Sequence, residues 1–360
     1  MERPEVIRAV MNHFRSVERL ELIDLHWFDP PWLSSRTVAR FLSSVTSLTL
    51  NDVGFYGGPR ALVWMLSKMP NLEVLSTGKL NCPEKNGFPN NTPGLLVFAF
   101  NAAHCCPIIW VPIFLLIRSS LKVTEMMKPP TSRFSLLKPL RTLSVHIRYL
   151  TVDDPYLHWL LTQTQKLSSV TTLVVSTQFR QEESIIFQSL LDGVNSLHHL
   201  TIHDDCHDTE DLATPSLNNH RALESLKIYT DLYRMPQTWA GQLNNMLHTL
   251  SSSRLTVIQL SINTSAPNFF ALFGPQSKSA EVSIIDDYLS GSIATLRQLR
   301  ISVGLRYPNF AVQTELDRLL EEEAMGRLAK VAFGKCEHKG ILRLKINGHG
   351  EAEDFLEGED

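Results

Sequence analysis

A short pattern, apolar-x-x-apolar-x-apolar, recurs along the whole chain and constrains its fold more than any other feature of the sequence. In LRTLSVHI, at residues 140–147, Leu140, Leu143 and Val145 occupy the three apolar positions. Other copies begin at residues 17, 45, 170, 197, 223, 255 and 296, and a degenerate copy begins at residue 72 with Thr77 in its last position. Most successive copies are 26 to 32 residues apart, which indicates repeated units of about that length.

Segments with helical spacing lie between the copies, as in RALVWMLSKM and IIFQSLLDGV. Each unit is therefore predicted to contain a short strand, a loop and a helix, and its length is that of a leucine-rich repeat or slightly above. One strand and one helix cannot bury their own leucines, whereas a stacked neighbour removes them from water at about 25 cal/mol per Å². We therefore predict an α/β fold over residues 1–348, an irregular leucine-rich-repeat-like solenoid with a parallel sheet on its concave side and helices on its convex side.

A long apolar stretch interrupts the repeats between residues 82 and 139. Within it, residues 95–117 carry no formal charge over 23 positions, a length that can cross a bilayer. Asn101, Pro107 and Pro112 interrupt this run, and polar groups and helix breakers need special compensation in lipid. We therefore predict an irregular, buried insert at about 82–139. The alternative is a membrane-associated repeat protein anchored through residues 95–117.

The repeats are predicted to end, in the C-terminal part of the chain, with a structural element that is not a further repeat. LAKVAF and ILRLKI both have strand-like composition, and the residues between them are too few for a crossover helix. We therefore predict a hairpin over residues 328–346. Before it, ELDRLLEEEA is predicted to be a helix in which Leu316, Leu319 and Leu320 share one face. Residues 349–360 are predicted to be an acidic tail.

Composition bounds the environment of the chain and its partners. The 34 Lys and Arg residues against 37 Asp and Glu residues give a formal net charge of -3, which does not favour nucleic acid or an anionic membrane. The five cysteines are an odd number, and the first residues lack the apolar core of a signal peptide. We therefore expect a reduced chain that works in the cytoplasm or nucleus, with no nucleic-acid partner.

Motifs for catalysis or cofactor binding are missing from the sequence. It contains no G-x-S-x-G nucleophile elbow. The glycine-rich phosphate-binding motifs G-x-x-x-x-G-K-[ST] and G-x-G-x-x-G do not occur either. HDDCHD, at residues 203–208, groups possible metal ligands, but no C-x-x-C pair or H-E-x-x-H helix stands beside it. We therefore predict a solvated loop there and a protein that is not an enzyme and holds no cofactor or metal. Asp286 and Asp287 are predicted to cap a helix that follows them.

The outward side of the predicted sheet is the candidate binding surface. Strand alternation places the apolar positions of each repeat in the core and the third, fifth and seventh positions outward. These outward positions are rich in Ser and Thr and collect basic residues late in the chain, including Arg343 and Lys345. Tyr and Arg are enriched at interface hot spots. We predict that an unknown protein partner binds the concave face through His146, His199, His203, Lys227, Tyr229 and Arg300.

The stretch VTSLTLNDVGFYGGPRALVWMLSKMPNLEVL, residues 45–75, carries a family resemblance. Its L-x-L-x-x-V-x-F spacing is followed by a helix and then by P-x-L-x-x-L, which begins at Pro70. In this respect the chain resembles the divergent leucine-rich-repeat proteins that fungi encode, especially mushroom-forming fungi. Many of these proteins are F-box-like. The resemblance implies a non-enzymatic protein-interaction scaffold that recognises substrates for a cullin-type ubiquitin ligase.

The F-box itself is not visible in this sequence. An F-box is a helical module of some tens of residues, whereas the first repeat begins at Val17, and residues 2–16, which begin ERPEVIRAVMNHF, are too few for one. This segment has room for one short helix, which is predicted to cap the first repeat. We therefore expect that residues 1–360 do not bind the ligase adaptor directly.

Overall fold

A computed structural model shows an α/β protein that divides into two compact units, residues 1–170 and residues 171–360. The structure describes residues 17–23, 26–27, 36–55, 59–81, 94–98, 111–115, 139–147, 155–162, 167–204, 214–232, 236–274, 280–305 and 315–347. The α/β class is therefore confirmed. The prediction of a single solenoid over residues 1–348 stays a prediction, and each unit is described by itself.

In the first unit, four strands that carry the repeated pattern pair in parallel. Its described strands are β1 (Arg19–Ile23), β2 (His26–Trp27), β3 (Ser47–Asn51), β4 (Val53–Phe55), β5 (Val74–Thr77), β6 (Leu80–Asn81), β7 (Gly94–Phe98), β8 (Val111–Leu115) and β9 (Thr142–His146), and its described helices are α1 (Arg36–Leu42), α2 (Pro59–Ser67) and α3 (Pro155–Thr162). Strand β3 pairs in parallel with β1 and β5, and β5 pairs with β9. A smaller parallel sheet has the order β2-β4-β6.

The register of these strands follows the repeated pattern. The middle apolar residue of each copy lies beside its counterpart in the next strand, in the order Leu20, Leu48, Leu75 and Leu143. All four are at most 2% exposed. The shared register explains why the pattern recurs, because each leucine is covered by the equivalent leucine of the adjacent repeat.

The described part of the predicted apolar insert is β-structure. Strand β7 pairs antiparallel with β1 through Leu95 and Leu96, and β8 pairs antiparallel with β7. The two strands account for residues 94–98 and 111–115, and the rest of 82–138 lies outside the described residues. No helix within the described ranges combines the length and the apolar character needed to span a membrane.

In the second unit, six strands pair in parallel in the order of the sequence. They are β10 (Thr172–Thr177), β11 (His199–Asp204), β12 (Ser225–Leu232), β13 (Val257–Thr264), β14 (Gln298–Leu305) and β15 (Leu342–Asn347), and the described helices are α4 (Gln181–Gly193), α5 (Pro236–His248), α6 (Ala266–Phe273), α7 (Ala280–Gly291), α8 (Glu315–Ala332) and α9 (Gly334–His338). Residues at equivalent positions of adjacent strands are direct register partners, and one buried row across the six strands consists of Leu173, Leu200, Leu226, Ile258, Leu299 and Leu342.

Hydroxyl side chains connect successive repeats in both units, a feature that the sequence analysis missed. Ser169 Oγ donates to the carbonyl oxygen of Leu140 at 3.0 Å, and Thr295 Oγ1 donates to that of Leu255 at 2.8 Å. In both cases the donor directly precedes one copy of the pattern, and the acceptor begins the preceding copy. These bonds satisfy carbonyl groups at the turn into each strand, where the sheet ladder has not yet begun.

The predicted C-terminal hairpin is wrong. Residues 328–332 belong to helix α8, which is 18 residues long, and β15 pairs in parallel with β14. Met325, Ala329 and Phe333 are at most 2% exposed and follow one another at intervals of four, which is the spacing of a helix. Helix α8 is therefore the crossover that a parallel connection needs.

The face of helix α8 that carries Leu319 and Leu320 is not its buried face. Leu319 is 57% exposed and Leu320 is 54% exposed, whereas Met325 and Ala329 are buried. The buried face is set by the position of β15, against which the helix packs. A regular i, i+3, i+4 spacing identifies which residues share a face, but it does not say which face lies against the sheet.

Candidate protein-binding surface

Strand alternation separates a buried face of the second unit's sheet from a polar one. In β12 the residues Leu226, Ile228, Thr230 and Leu232 are buried, while the side chains between them are partly exposed. We call the partly exposed side chains of β12, together with the residues in register with them on β10, β11, β13, β14 and β15, the polar face. Its members are Thr172, Val174, Ser176, His199, Thr201, His203, Ser225, Lys227, Tyr229, Asp231, Val257, Gln259, Ser261, Asn263, Gln298, Arg300, Ser302, Gly304, Arg343, Lys345 and Asn347.

The parallel register brings five of the six predicted binding residues onto this face. One row across the strands contains Lys227, Gln259, Arg300 and Arg343, and the next contains His203, Tyr229, Ser261, Ser302 and Lys345. His199 lies on the same face, in the row of Ser225. His146 is on β9 in the first unit, where it is half-buried.

His203 and Tyr229 form a flat aromatic pair on adjacent strands. Their ring centroids are 4.5 Å apart and their planes are inclined by only 8°. The pair arises because the two residues are direct register partners in β11 and β12. Such a pair offers an apolar ring surface with polar atoms at its edge, the combination for which Tyr is enriched at interfaces.

Four cations lie on the same face as the aromatic pair, and we call Lys227, Arg300, Arg343 and Lys345 the cationic strip. Arg300 and Arg343 are direct register partners in β14 and β15. Arg300 Nε donates to Gln298 Oε1 at 2.9 Å, which orients the guanidinium. Among the polar-face residues defined above, the one carboxylate is Asp231, which accepts a hydrogen bond from Asn263 at 2.7 Å. The face is thus basic, although the whole chain has a formal charge of -3.

The centre of the polar face is more buried than strand alternation predicted. Gln259 and Ser261 are each 1% exposed and Ser302 is 0% exposed, although all three lie at outward positions. The serines are short and stand in one row between Tyr229 and Lys345, so they form the floor of the face. Gln259 Nε2 donates to Ser261 Oγ at 3.3 Å. No described group bonds to Ser302 Oγ.

The predicted absence of a metal site concerns residues 203–208, of which the structure describes the first two. His203 is on the polar face, whereas Asp204 is buried on the opposite face and accepts a hydrogen bond from Thr230 Oγ1 at 3.2 Å. Successive residues of a strand point to opposite sides, so these two side chains do not converge. Within the described ranges, no three His, Cys, Asp or Glu side chains gather as metal ligands would.

Cys336 is a buried thiol that helix α9 places against α7. Burial raises the pKa of the Cys336 thiol well above its ordinary value, and its contact with Asp286 acts in the same direction. The thiolate is the nucleophilic form of cysteine, so this thiol stays protonated and inert at neutral pH. Its place is structural.

None of the protein-family models matches the chain, and none of the curated proteins does.

Proposed function

We propose that the chain is a leucine-rich-repeat-like solenoid that acts as a non-enzymatic protein-binding module, with the polar face of its second unit as the binding surface. The observation that carries the proposal is the continuous row of His203, Tyr229, Ser261, Ser302 and Lys345 across five adjacent strands. This row presents aromatic and cationic side chains from one rigid sheet, on either side of a floor of short, buried serines.

The repeat register supports the solenoid. Equivalent positions of successive repeats are direct partners in the sheet, and the repeats are further connected by bonds such as that of Ser252 Oγ to the Leu223 carbonyl oxygen, at 2.6 Å. A stack of equivalent units with the same connection at every step is the construction of a solenoid. In such an arrangement the helix-free side of the sheet is the concave side.

The composition of the polar face supports binding over catalysis. Tyr and Arg are residue types that are enriched among the energetically dominant residues of protein interfaces. Here they lie on strands rather than loops, so little conformational entropy is lost on binding. Tyr229 and Arg300 are both partly exposed, as an interface anchor must be in the unbound protein.

The biological role that we propose is substrate recognition for a cullin-type ubiquitin ligase, in the cytoplasm or nucleus. It rests on the resemblance of residues 45–75 to fungal F-box-like repeat proteins. Val53 and Phe55, which carry part of that resemblance, are completely buried, as core positions of a repeat should be.

A peptide selection on the full-length chain tests the proposed binding surface. A random peptide library is panned on the immobilised protein, and the affinities of the selected peptides are compared between the wild type and Tyr229→Ala. We expect the substitution to weaken binding by more than about 1 kcal/mol. Leu319→Ala, which removes an exposed side chain from α8, is the matched control and should bind normally. Selected peptides that bind Tyr229→Ala as tightly as the wild type would overturn the proposal.

A further inference from the structure

We infer that the cationic strip makes the polar face a receptor for an extended acidic segment of a partner protein. This inference rests on the proposed function and adds the chemistry of the bound segment. Lys227, Arg300, Arg343 and Lys345 contribute four positive charges, against the single carboxylate of Asp231 on that face. The sign is opposite to that of the whole chain, so the charge of the strip is local.

The position of the two arginines is the first argument for an anionic ligand. Arg300 and Arg343 are direct register partners, and neighbouring strands lie only about 4.8 Å apart. Like charges directly opposite each other destabilise a sheet, and a carboxylate between the two guanidinium groups offsets that cost. Within the described residues, neither Lys227 nor Arg343 takes part in an ion pair.

The floor of the face supplies the second argument. Ser302 lies between Ser261 and Lys345 in the register, and its buried hydroxyl makes no hydrogen bond with any described group. A buried polar group without a partner destabilises the protein that contains it. A carboxylate oxygen is an acceptor that this hydroxyl can use once a ligand reaches the floor.

The spacing of the strip favours an extended peptide over a compact ion. Lys227 and Arg343 are three strands apart in one row, which corresponds to about 14 Å. In an extended peptide, side chains on the same side recur about every 6.6 Å. Acidic residues at alternate positions of a peptide that crosses the strands therefore reach both ends of the strip.

The experiment measures binding of a labelled peptide by fluorescence anisotropy. The probe consists of six Glu-Thr repeats, and six Gln-Thr repeats of the same length serve as the uncharged control. We expect the full-length chain to bind only the acidic probe, with an affinity that falls as salt screens the charges. The double variant Arg300→Gln/Arg343→Gln should bind roughly tenfold more weakly, whereas Arg300→Lys/Arg343→Lys should retain most of the affinity.

Two exposed arginines provide the matched control. Arg221 and Arg254 lie in loops outside the polar face, so Arg221→Gln/Arg254→Gln removes the same charge from elsewhere in the second unit. The measurement is repeated on a chain in which the acidic residues of 351–360 are replaced by amides, so that the protein's own carboxylates do not compete with the probe. Circular dichroism verifies that every variant is folded.

The outcomes separate this inference from the proposed function. Equal weakening by Arg300→Gln/Arg343→Gln and by the loop variant Arg221→Gln/Arg254→Gln would show that only net charge matters and would overturn the inference. No binding of the acidic probe to either form of the chain would overturn it as well. In both cases, peptides selected from the library that remain sensitive to Tyr229→Ala would leave the proposed binding surface intact.

Discussion

Asp286 caps the short helix that contains Cys336. Its Oδ1 accepts a hydrogen bond from the backbone N–H of Cys336 at 3.0 Å, and its Oδ2 accepts one from the N–H of Lys335 at 2.9 Å. The prediction that this aspartate caps a helix following it in sequence is wrong, since Asp286 lies inside α7 and caps α9, which begins 48 residues later at Gly334. One buried carboxylate thus connects two helices of the second unit.

Removal of this cap should destabilise the second unit. Asp286 is 5% exposed, so Asp286→Ala leaves two N–H groups without their acceptor, and we expect a loss of about 2 to 4 kcal/mol in the free energy of unfolding. Urea denaturation followed by tryptophan fluorescence measures the change. The neighbouring Asp287 pairs with Lys335 at the surface, so Asp287→Ala should leave stability almost unchanged. Equal effects of the two substitutions would contradict the capping role.

His220 should make the protein sensitive to acid. It is 3% exposed, no described group bonds to either ring nitrogen, and burial lowers its pKa, an effect that Asp192 partly opposes. The unfolded chain therefore binds a proton near pH 6.5, while the folded chain binds it only at lower pH. The contribution of His220 to stability is thus complete above that pH and is lost as the pH falls towards the folded pKa.

The acid sensitivity is measured as the change in unfolding free energy between pH 8 and pH 5. We expect His220→Phe to lose less stability over this range than the wild type, because a phenylalanine takes up no proton in either state. Any packing cost of the substitution is present at both pH values and cancels. His338→Gln removes an exposed histidine and should keep the wild-type difference. If the His220 variant loses as much stability as the wild type, the buried histidine is not the cause.

Leu200 should be among the most costly residues to truncate. It is completely buried in β11, between Leu173 and Leu226 of the adjacent strands. Leu200→Ala should cost about 2 to 5 kcal/mol because a cavity remains in the sheet. The matched substitution Leu319→Ala, at a side chain that is 57% exposed, should change stability by less than about 0.5 kcal/mol. If the two variants unfold at similar denaturant concentrations, Leu200 does not belong to the core.

Two glycines of the second unit should respond to alanine in opposite directions. A Cβ at Gly274 would come within 2.3 Å of the Phe270 carbonyl oxygen, a backbone atom that accepts the N–H of Gly274. We therefore expect Gly274→Ala to cost more than about 1 kcal/mol. At Gly241, inside α5, a Cβ meets nothing within 4 Å, so Gly241→Ala should stabilise the helix by about 0.5 to 1 kcal/mol. Thermal unfolding of both variants checks the signs.

The apolar pattern by itself determined the parallel strands and their core residues. Leu143 and Leu200 are buried as predicted because a repeat of constant length places equivalent leucines beside each other in a stack. The alternation within each strand likewise identified His203, Tyr229 and Arg300 as residues of the opposite face. Both signals are local and periodic, so they can be read without knowing what lies across the sheet.

Other features depended on contacts between residues that are distant in sequence, and only the tertiary structure decided them. The apolar residues of 328–333 suit a strand or a helix equally, and the parallel docking of β15 requires the helix. Asp286 finds its N–H partners 49 and 50 residues away, which no local pattern indicates. The burial of Ser302 and the opposition of Arg300 and Arg343 arise in the same way, because the register of adjacent strands determines which side chains meet.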